Sequence, residues 1–169
     1  MQPRWTTTLN PPNRKGIQYC ALDAVDQSAL LALVNSADVR AHLIEHPIFD
    51  QTLLADWIAS KMEIHEHPQY CVYAVMVDNE LAGWCGIQPD EDGAELAIVI
   101  SKAHWGLGLK VFRNMMAWSR NAGHKEVLFH LLETRRSYRA LEKMAKEVRS
   151  SDRLGRQFTT YILSTEAEK

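Results

Sequence analysis

The chain has 169 residues, 46% of them hydrophobic, and a formal net charge of −2 at pH 7. This length supports one domain with a substantial core, and the charge argues against a general nucleic-acid binder, which is usually clearly basic. No apolar run is long enough to span a membrane, and the first residues lack the apolar core of a signal peptide. We therefore expect a cytoplasmic protein whose three cysteines, each in an apolar stretch, are small buried hydrophobic residues.

Residues 1–16 are polar and contain two adjacent prolines, which predicts a flexible N-terminal arm. Residues 17–169 show no repeat, low-complexity segment or linker and are predicted to form a single domain. Hydrophobic periodicity, capping residues and turn residues predict its secondary structure. The elements expected in chain order are a strand over Ile17–Leu22, helices over Asp26–Asn35 and Asp38–Glu45, a helix capped by Asp50 and ending near Glu66, strands over Tyr70–Val77, Leu81–Ile87 and Ala94–Ser101, a helix over Leu109–Asn121, a strand over Glu126–Leu132, a helix over Ser137–Glu147 and a strand over Gln157–Ser164.

The connections between these elements predict how the strands pair. Tight turns at Asp78-Asn79 and Asp90–Gly93 predict antiparallel pairing in the middle of the chain. The two later connections carry helices, as parallel pairing requires. The expected fold class is therefore α+β, with a mixed, mostly antiparallel central sheet flanked by helices.

The segment after the strand over Ala94–Ser101 predicts a binding site. There Trp105-Gly-Leu-Gly108 leads into a helix whose first N–H groups lack intrahelical partners and attract anions. Glycines let the backbone approach a phosphate closely. A dinucleotide site would need a third glycine where Val111 stands, and the chain contains no Gly-x-x-x-x-Gly-Lys-Ser/Thr run for a nucleoside triphosphate. A different phosphorylated ligand is expected.

Two motifs carry a family resemblance. Trp105-Gly-Leu-Gly-Leu-Lys110 resembles the pyrophosphate loop of the GNAT N-acyltransferases, Gln/Arg-x-x-Gly-x-Gly/Ala, and most of all the branch that acetylates ribosomal-protein N-termini, where Trp often opens the loop. The segment from Thr134 to Lys143 resembles that branch's Asn-x-x-Ser-x-x-x-Leu-Glu-Lys. The chain departs from the family at Lys110, at Thr134 and at Ala145-Lys146. These departures leave open an alternative function, a catalytically silent module that binds CoA or a protein partner.

The resemblance implies the GNAT acyl-CoA N-acyltransferase fold, in which the loop-bearing strand and the next strand splay apart around the pantetheine arm. It implies acetyl-CoA as donor, no metal, and a primary amine as acceptor, either a small molecule or, slightly favoured, a protein or peptide N-terminus. No nucleic acid or membrane partner is expected, and a homodimer is left open. The implied donor-binding residues are Ile98, Val99, Ile100, Trp105, Gly106, Leu107, Gly108, Leu109, Lys110 and Thr134.

Acetyl transfer to an amine needs a base, an oxyanion donor and a proton for the departing thiolate. Glu95 is the one carboxylate within its predicted strand and stands about where the family has a Glu base, although a solvated residue at a strand start would look the same. His130 is a lower-ranked alternative base, and a backbone N–H near Val99 is a candidate oxyanion donor. Ser137 matches the hydroxyl of the second motif, with Tyr138 as its alternative.

Eight basic residues lie between Arg135 and Arg156, either as a solvated helix face or as a patch suited to the 3′-phosphate of CoA. They are Arg135, Arg136, Arg139, Lys143, Lys146, Arg149, Arg153 and Arg156. His42 and His46 have helical metal-binding spacing but no evident third ligand, so no metal site is predicted.

Overall fold

The computed structural model describes residues 16–41, 47–133, 139–153 and 155–166. The predicted arm lies almost entirely outside these residues. The elements are β1 (Ile17–Cys20), a 3₁₀ turn (Leu22–Ala24), α1 (Gln27–Asn35), α2 (Ala37–Arg40), α3 (Gln51–Glu66), β2 (Cys71–Val77), β3 (Glu80–Asp90), β4 (Gly93–Ile100), a 3₁₀ segment (Lys102–Leu107), α4 (Gly108–Asn121), β5 (Glu126–Leu132), α5 (Arg139–Met144), β6 (Ala145–Arg153) and β7 (Arg156–Ser164).

Seven strands form one sheet in the order β1-β2-β3-β4-β5-β7-β6. Every neighbouring pair is antiparallel except β4 and β5, which are parallel. Helices α1 to α3 pack on one face, where Leu30, Leu54 and Trp84 share a buried cluster, and α4 packs on the other through Val111 and Met115. This arrangement confirms the predicted mixed, mostly antiparallel α+β fold. No helix within the described residues is long and apolar enough to cross a membrane.

Local signals set several element boundaries as predicted. The Asp50 carboxylate accepts a hydrogen bond of 2.8 Å from the Leu53 N–H and caps α3. Asp78 and Asn79 both have positive φ values, 49° and 65°, which a two-residue hairpin turn of type I′ requires. The limits of β5 match the prediction residue for residue.

The prediction for the last quarter of the chain is wrong in two respects. The expected helix over Ser137–Glu147 does not extend beyond Met144, because Ala145–Arg153 forms β6 and pairs with β7. The last strand also runs antiparallel to β5, whereas parallel pairing was expected. The cause is the hairpin between Arg153 and Arg156, which reverses the chain before β7 enters the sheet.

Strands β4 and β5 diverge soon after they meet. Their recorded pairing within the described residues consists of Glu95 with Leu128 and Leu96 with Phe129. Beyond these positions β4 remains paired to β3 as far as Ile100, and β5 remains paired to β7. A gap therefore opens between the two strands toward their carboxyl ends, beside the segment that contains Gly106 and Gly108.

Candidate active site

The glycine segment is a 3₁₀ helix that runs into α4, where a simple tight turn was predicted. Gly108 begins α4 with right-handed φ and ψ of −54° and −41°. A Cβ added at Gly106 or Gly108 would meet no atom within 4 Å. The backbone therefore does not need glycine here to reach its conformation, and the missing side chains leave open space at the helix N-terminus.

Around this space the helix end lacks a side-chain cap, since Leu107 at the N-cap makes no such hydrogen bond. The Gly108 N–H donates to the Trp105 carbonyl, so an anion at this end would bind the other N–H groups of the first turn of α4. The Trp105 indole N–H donates to the Ile100 carbonyl over 3.1 Å and fastens the segment to the end of β4. Trp105 and Leu109 are exposed hydrophobic residues and Lys110 is exposed beside them.

The backbone of β4 presents alternate residues to the gap. The Val99 carbonyl points at β3, because a Cβ added at Gly83 would clash with it. Successive peptide groups of a strand point to opposite edges. The backbone groups of Ile98 and Ile100 therefore point away from β3, toward the gap, and those of Val99 do not.

Glu95 lies on the face of β4 that α3 covers. Opposite it on β3, the Gln88 Nε2 donates to Glu95 Oε1 over 3.3 Å, and the Lys61 ammonium donates to Gln88 Oε1. The Glu95 side chain is 26% exposed. Burial, and then the negative charge of Asp90, raise the pKa of Glu95, while the positive charges of Arg153 and then Lys61 oppose this shift.

His130 on β5 stands beside two carboxylates. Its Nε2 is 3.1 Å from Asp90 Oδ2 and 3.7 Å from Glu95 Oε2, and its Nδ1 is 2.8 Å from the Thr160 hydroxyl. Burial, and then the positive charge of Arg153, lower the pKa of His130 and favour the neutral ring. In the tautomer that satisfies these partners, Nε2–H donates to Asp90 and Nδ1 accepts from Thr160. No lone pair of the ring is then free, which makes Glu95 the better base.

Asp90 and Glu95 have opposite environments. Burial acts to raise the pKa of Asp90, but the Asp92 N–H at 3.1 Å and the Arg153 guanidinium at 3.0 and 3.3 Å outweigh it and lower that pKa. Asp90 therefore stays ionised while Glu95 takes up protons more readily. Two carboxyl groups whose pKa values are pushed apart are typical of acid–base sites.

The two carboxylates and the imidazole are also close enough together to bind a metal ion. Donor atoms of Asp90, Glu95 and His130 lie within 4.8 Å of one another. Arg153 already neutralises Asp90 with two hydrogen bonds. A cation would have to compete with that guanidinium, so this geometry supports acid–base work better than metal binding.

Three of the basic residues assigned to a CoA patch lie on strand β6 and bind carboxylates. Lys146 contacts Glu126 at 3.1 Å, and Arg149 contacts Asp92 at 2.9 Å. Arg153 contacts Asp90, as described above. Lys146 was expected within the predicted helix, and Arg149 and Arg153 in the tail after it. All three instead lie on β6, where each pairs with a carboxylate of the chain.

The predicted residues Thr134, Ser137 and Tyr138 lie outside the described residues, as do His42 and His46.

Lys61 and Gln88 were not identified from the sequence, although each carries a signal. Lys61 lies one helical turn from Trp57 and Ile58, within the apolar stripe of α3. Gln88 follows an apolar run in β3 and is 6% exposed.

A separate cleft of about 370 Å³ lies at the amino ends of β4 and β5. Gly93 and Lys125 are among the residues that line it. It is at the opposite end of these strands from the glycine segment, so it is distinct from the gap.

Comparison with known proteins identifies the class. The model of the acetyltransferase (GNAT) domain family matches residues 20–145. The chain therefore belongs to the GNAT acetyltransferase family, as the two motifs implied. No curated protein sequence matches the chain significantly.

Solved structures share this fold at low sequence identity. The ribosomal L7/L12 α-N-protein acetyltransferase RimL, in complex with coenzyme A, has a TM-score of 0.68 at 15% identity over 90% of this chain and 96% of its own. The microcin C7 self-immunity acetyltransferase MccE, with acetyl-CoA and AMP, has a TM-score of 0.69 at 11% identity over 89% and 93%. An N-acetyltransferase from Staphylococcus aureus Mu50 has a TM-score of 0.68 at 11% identity over 89% and 99%.

Proposed function

We propose that this protein transfers the acetyl group of acetyl-CoA to a primary amine, with Glu95 as the general base. The observation that carries the proposal is the gap between β4 and β5, which has open glycine positions at its wide end and Glu95 at its narrow end. Membership of the GNAT family supports acetyl transfer, and the acetyl-CoA in MccE supports the donor.

The donor binds along the gap. Its pyrophosphate lies over Gly106 and Gly108, where the N–H groups of the first turn of α4 donate to it. Lys110, exposed in the same turn, adds positive charge. The pantetheine arm runs along β4 and bonds to the backbone of Ile98 and Ile100. The thioester, at the other end of this arm, then lies near Leu96, where β4 is still paired with β5.

The amine approaches from the face that holds Glu95. Because its pKa is raised, the Glu95 carboxylate accepts a proton more readily than an ordinary glutamate does, directly or through a water molecule. The His130 Nε2–H donates a hydrogen bond to ionised Asp90 and fixes the position of that carboxylate. Once the amine nitrogen bonds to the carbonyl carbon, the C–S bond breaks and CoA leaves as a thiolate, which Ser137 or Tyr138 protonates.

The acceptor we favour is a protein or peptide α-amine. The support is the resemblance of both motifs to the ribosomal-protein branch, together with a fold similar to that of RimL. A small-molecule amine is the alternative. Both acceptors require the same base and the same donor site, so they differ only in what binds beyond the amine.

The test is release of CoA thiol from acetyl-CoA in the presence of peptides with free N-termini, their N-blocked counterparts, and small amines. We expect release with at least one free amine, and none when its nitrogen is blocked. The matched control is Glu95→Gln, which should bind CoA and release thiol slowly. Binding of CoA without release against any amine would contradict the proposal and support the silent CoA-binding module.

A further inference from the structure

An amine of the chain itself occupies the acceptor side of the site. The Lys61 Nζ donates to the Gln88 side chain and lies 5.1 Å from the centroid of the Trp84 ring and 5.7 Å from that of Trp57. Trp57 and Trp84 meet edge to face at 5.3 Å. Lys61 thus projects from α3 onto the sheet between Trp84 and Gln88.

The register of the sheet places this amine relative to the gap. Trp84 pairs with Val99 and Gln88 pairs with Glu95, so the point midway between them is the pair Gly86 and Ala97. Ala97 is the first residue of β4 beyond its pairing with β5. A Cβ added at Gly86 would lie 2.9 Å from the Cys71 carbonyl oxygen, so this position admits no side chain, and Ala97 carries only a methyl group. Neither residue of this pair places a large side chain between Lys61 and β4. The Lys61 amine therefore stands at the narrow end of the gap, on the face from which an acceptor approaches.

We propose that Lys61 is an internal acetyl acceptor, which the chain modifies with its own bound acetyl-CoA. This inference rests on the proposed function. The neutral Lys61 amine bonds to the acetyl carbonyl carbon, its surplus proton passes to Glu95, the C–S bond breaks, and CoA leaves as a thiolate that takes up a proton. The products are an acetyllysine amide and free CoA.

The surroundings of Lys61 favour this chemistry. Burial lowers the pKa of Lys61, and the negative charge of Glu95 only partly opposes the shift, so more of the amine is neutral than at an exposed lysine. Acetylation would remove the positive charge that faces Trp57 and Trp84 and would weaken the hydrogen bond from Lys61 to Gln88. The modified side chain would then fill the acceptor side of the site and slow transfer to external amines.

The test uses the full chain, acetyl-CoA with an isotopically labelled acetyl group, no external amine, and peptide mapping over time. We expect label at Lys61 at least about tenfold faster than at exposed Lys125 and Lys143, at a rate that saturates with acetyl-CoA and does not depend on chain concentration. Glu95→Gln should slow labelling of Lys61 by about a hundredfold, the scale of general-base loss, while its thermal unfolding shows an intact fold.

Three results would each overturn the inference alone. One is a chain that acetylates external amines but labels Lys61 no faster than Lys125 and Lys143. The second is labelling of Lys61 at equal rates in the wild type and Glu95→Gln. The third is labelling of Lys61 at a rate that rises with chain concentration. A wild type that neither binds CoA nor acetylates any amine would overturn the proposed function as well.

Discussion

The Nε2 atom of His130 lies 3.1 Å from Asp90 and 3.7 Å from Glu95, so one imidazole separates two carboxylates of opposite character. Asp90 is held ionised by Arg153 and the Asp92 N–H, whereas Glu95 has a raised pKa. The sheet brings these groups together from β3, β4 and β5. In the proposed mechanism, Asp90 is the structural carboxylate and Glu95 is the one that exchanges protons.

Replacing Glu95 with Gln should lower kcat by about a hundredfold, because the site loses its general base. CoA affinity should stay similar, since the proposed donor site lies along the gap and not on the Glu95 carboxylate. The wild-type rate should rise with pH through the raised pKa of Glu95, because only the deprotonated carboxylate accepts a proton, and the variant should lose this rise. Steady-state kinetics across pH measure both effects. A near-wild-type kcat at saturating acceptor would remove Glu95 from the mechanism.

Asp90→Asn should destabilise the fold by about 2 kcal/mol, less than a fully buried ion pair would cost, because the Arg153 side chain is 23% exposed. The pKa of Asp90 is lowered on folding, so its contribution is present above its ordinary pKa of 3.8 and is lost as pH falls through the folded value. Urea unfolding at neutral and acidic pH measures this loss.

The matched control is Asp92→Asn, two positions after Asp90 in the chain. Asp92 and its partner Arg149 are 55% and 40% exposed, so this change should cost less than about 1 kcal/mol. Equal destabilisation by the two variants would show that the Asp90–Arg153 pair has no special structural role.

Gly108→Val should weaken CoA binding while the fold stays intact. The added side chain meets no protein atom near its Cβ, so it projects into the space assigned to the pyrophosphate. Calorimetry measures the affinity. Gly123→Val, at the other end of α4, is a control with the reverse outcome. The φ of +93° at this position strains any side chain, so the variant should have a lower Tm and an unchanged CoA affinity. Unchanged affinity in folded Gly108→Val would place the donor elsewhere.

Ser137→Ala should lower kcat by about tenfold and leave the KM for acetyl-CoA nearly unchanged, because the hydroxyl acts only on the leaving thiolate. The effect is modest because the CoA thiol resembles a free cysteine, with a pKa of roughly 8 to 9, and leaves fairly well without a proton. Tyr138→Phe is the comparison. A loss only in Tyr138→Phe would assign the role to the tyrosine, and no loss in either variant would mean that the thiolate leaves unaided.

The sequence predicted the elements that local patterns determine. Strand β5, the Asp50 cap and the turn at Asp78-Asn79 follow from hydrophobic periodicity, capping and turn chemistry. The strand, glycine segment and α4 follow in the predicted order. Glu95 was predicted as the base because it is the one carboxylate within its predicted strand and stands about where the family has a Glu.

Contacts between distant residues account for what the sequence missed. Strand β6 contains several charged residues and a single valine, Val148, and it becomes a strand because β7 lies beside it. Its Arg153 binds Asp90, 63 positions earlier in the chain. Likewise Lys61 and Gln88 are 27 positions apart and meet only when α3 packs on the sheet. No local pattern records these pairings.

The most direct test of the account is a crystal structure of the chain with CoA. We expect the pyrophosphate over Gly106 and Gly108, the pantetheine amides bonded to the backbone of Ile98 and Ile100, and the sulfur atom near Leu96 on the side of Glu95. CoA bound elsewhere, for example in the cleft at the amino ends of β4 and β5, would contradict the central claim that this gap is the donor site.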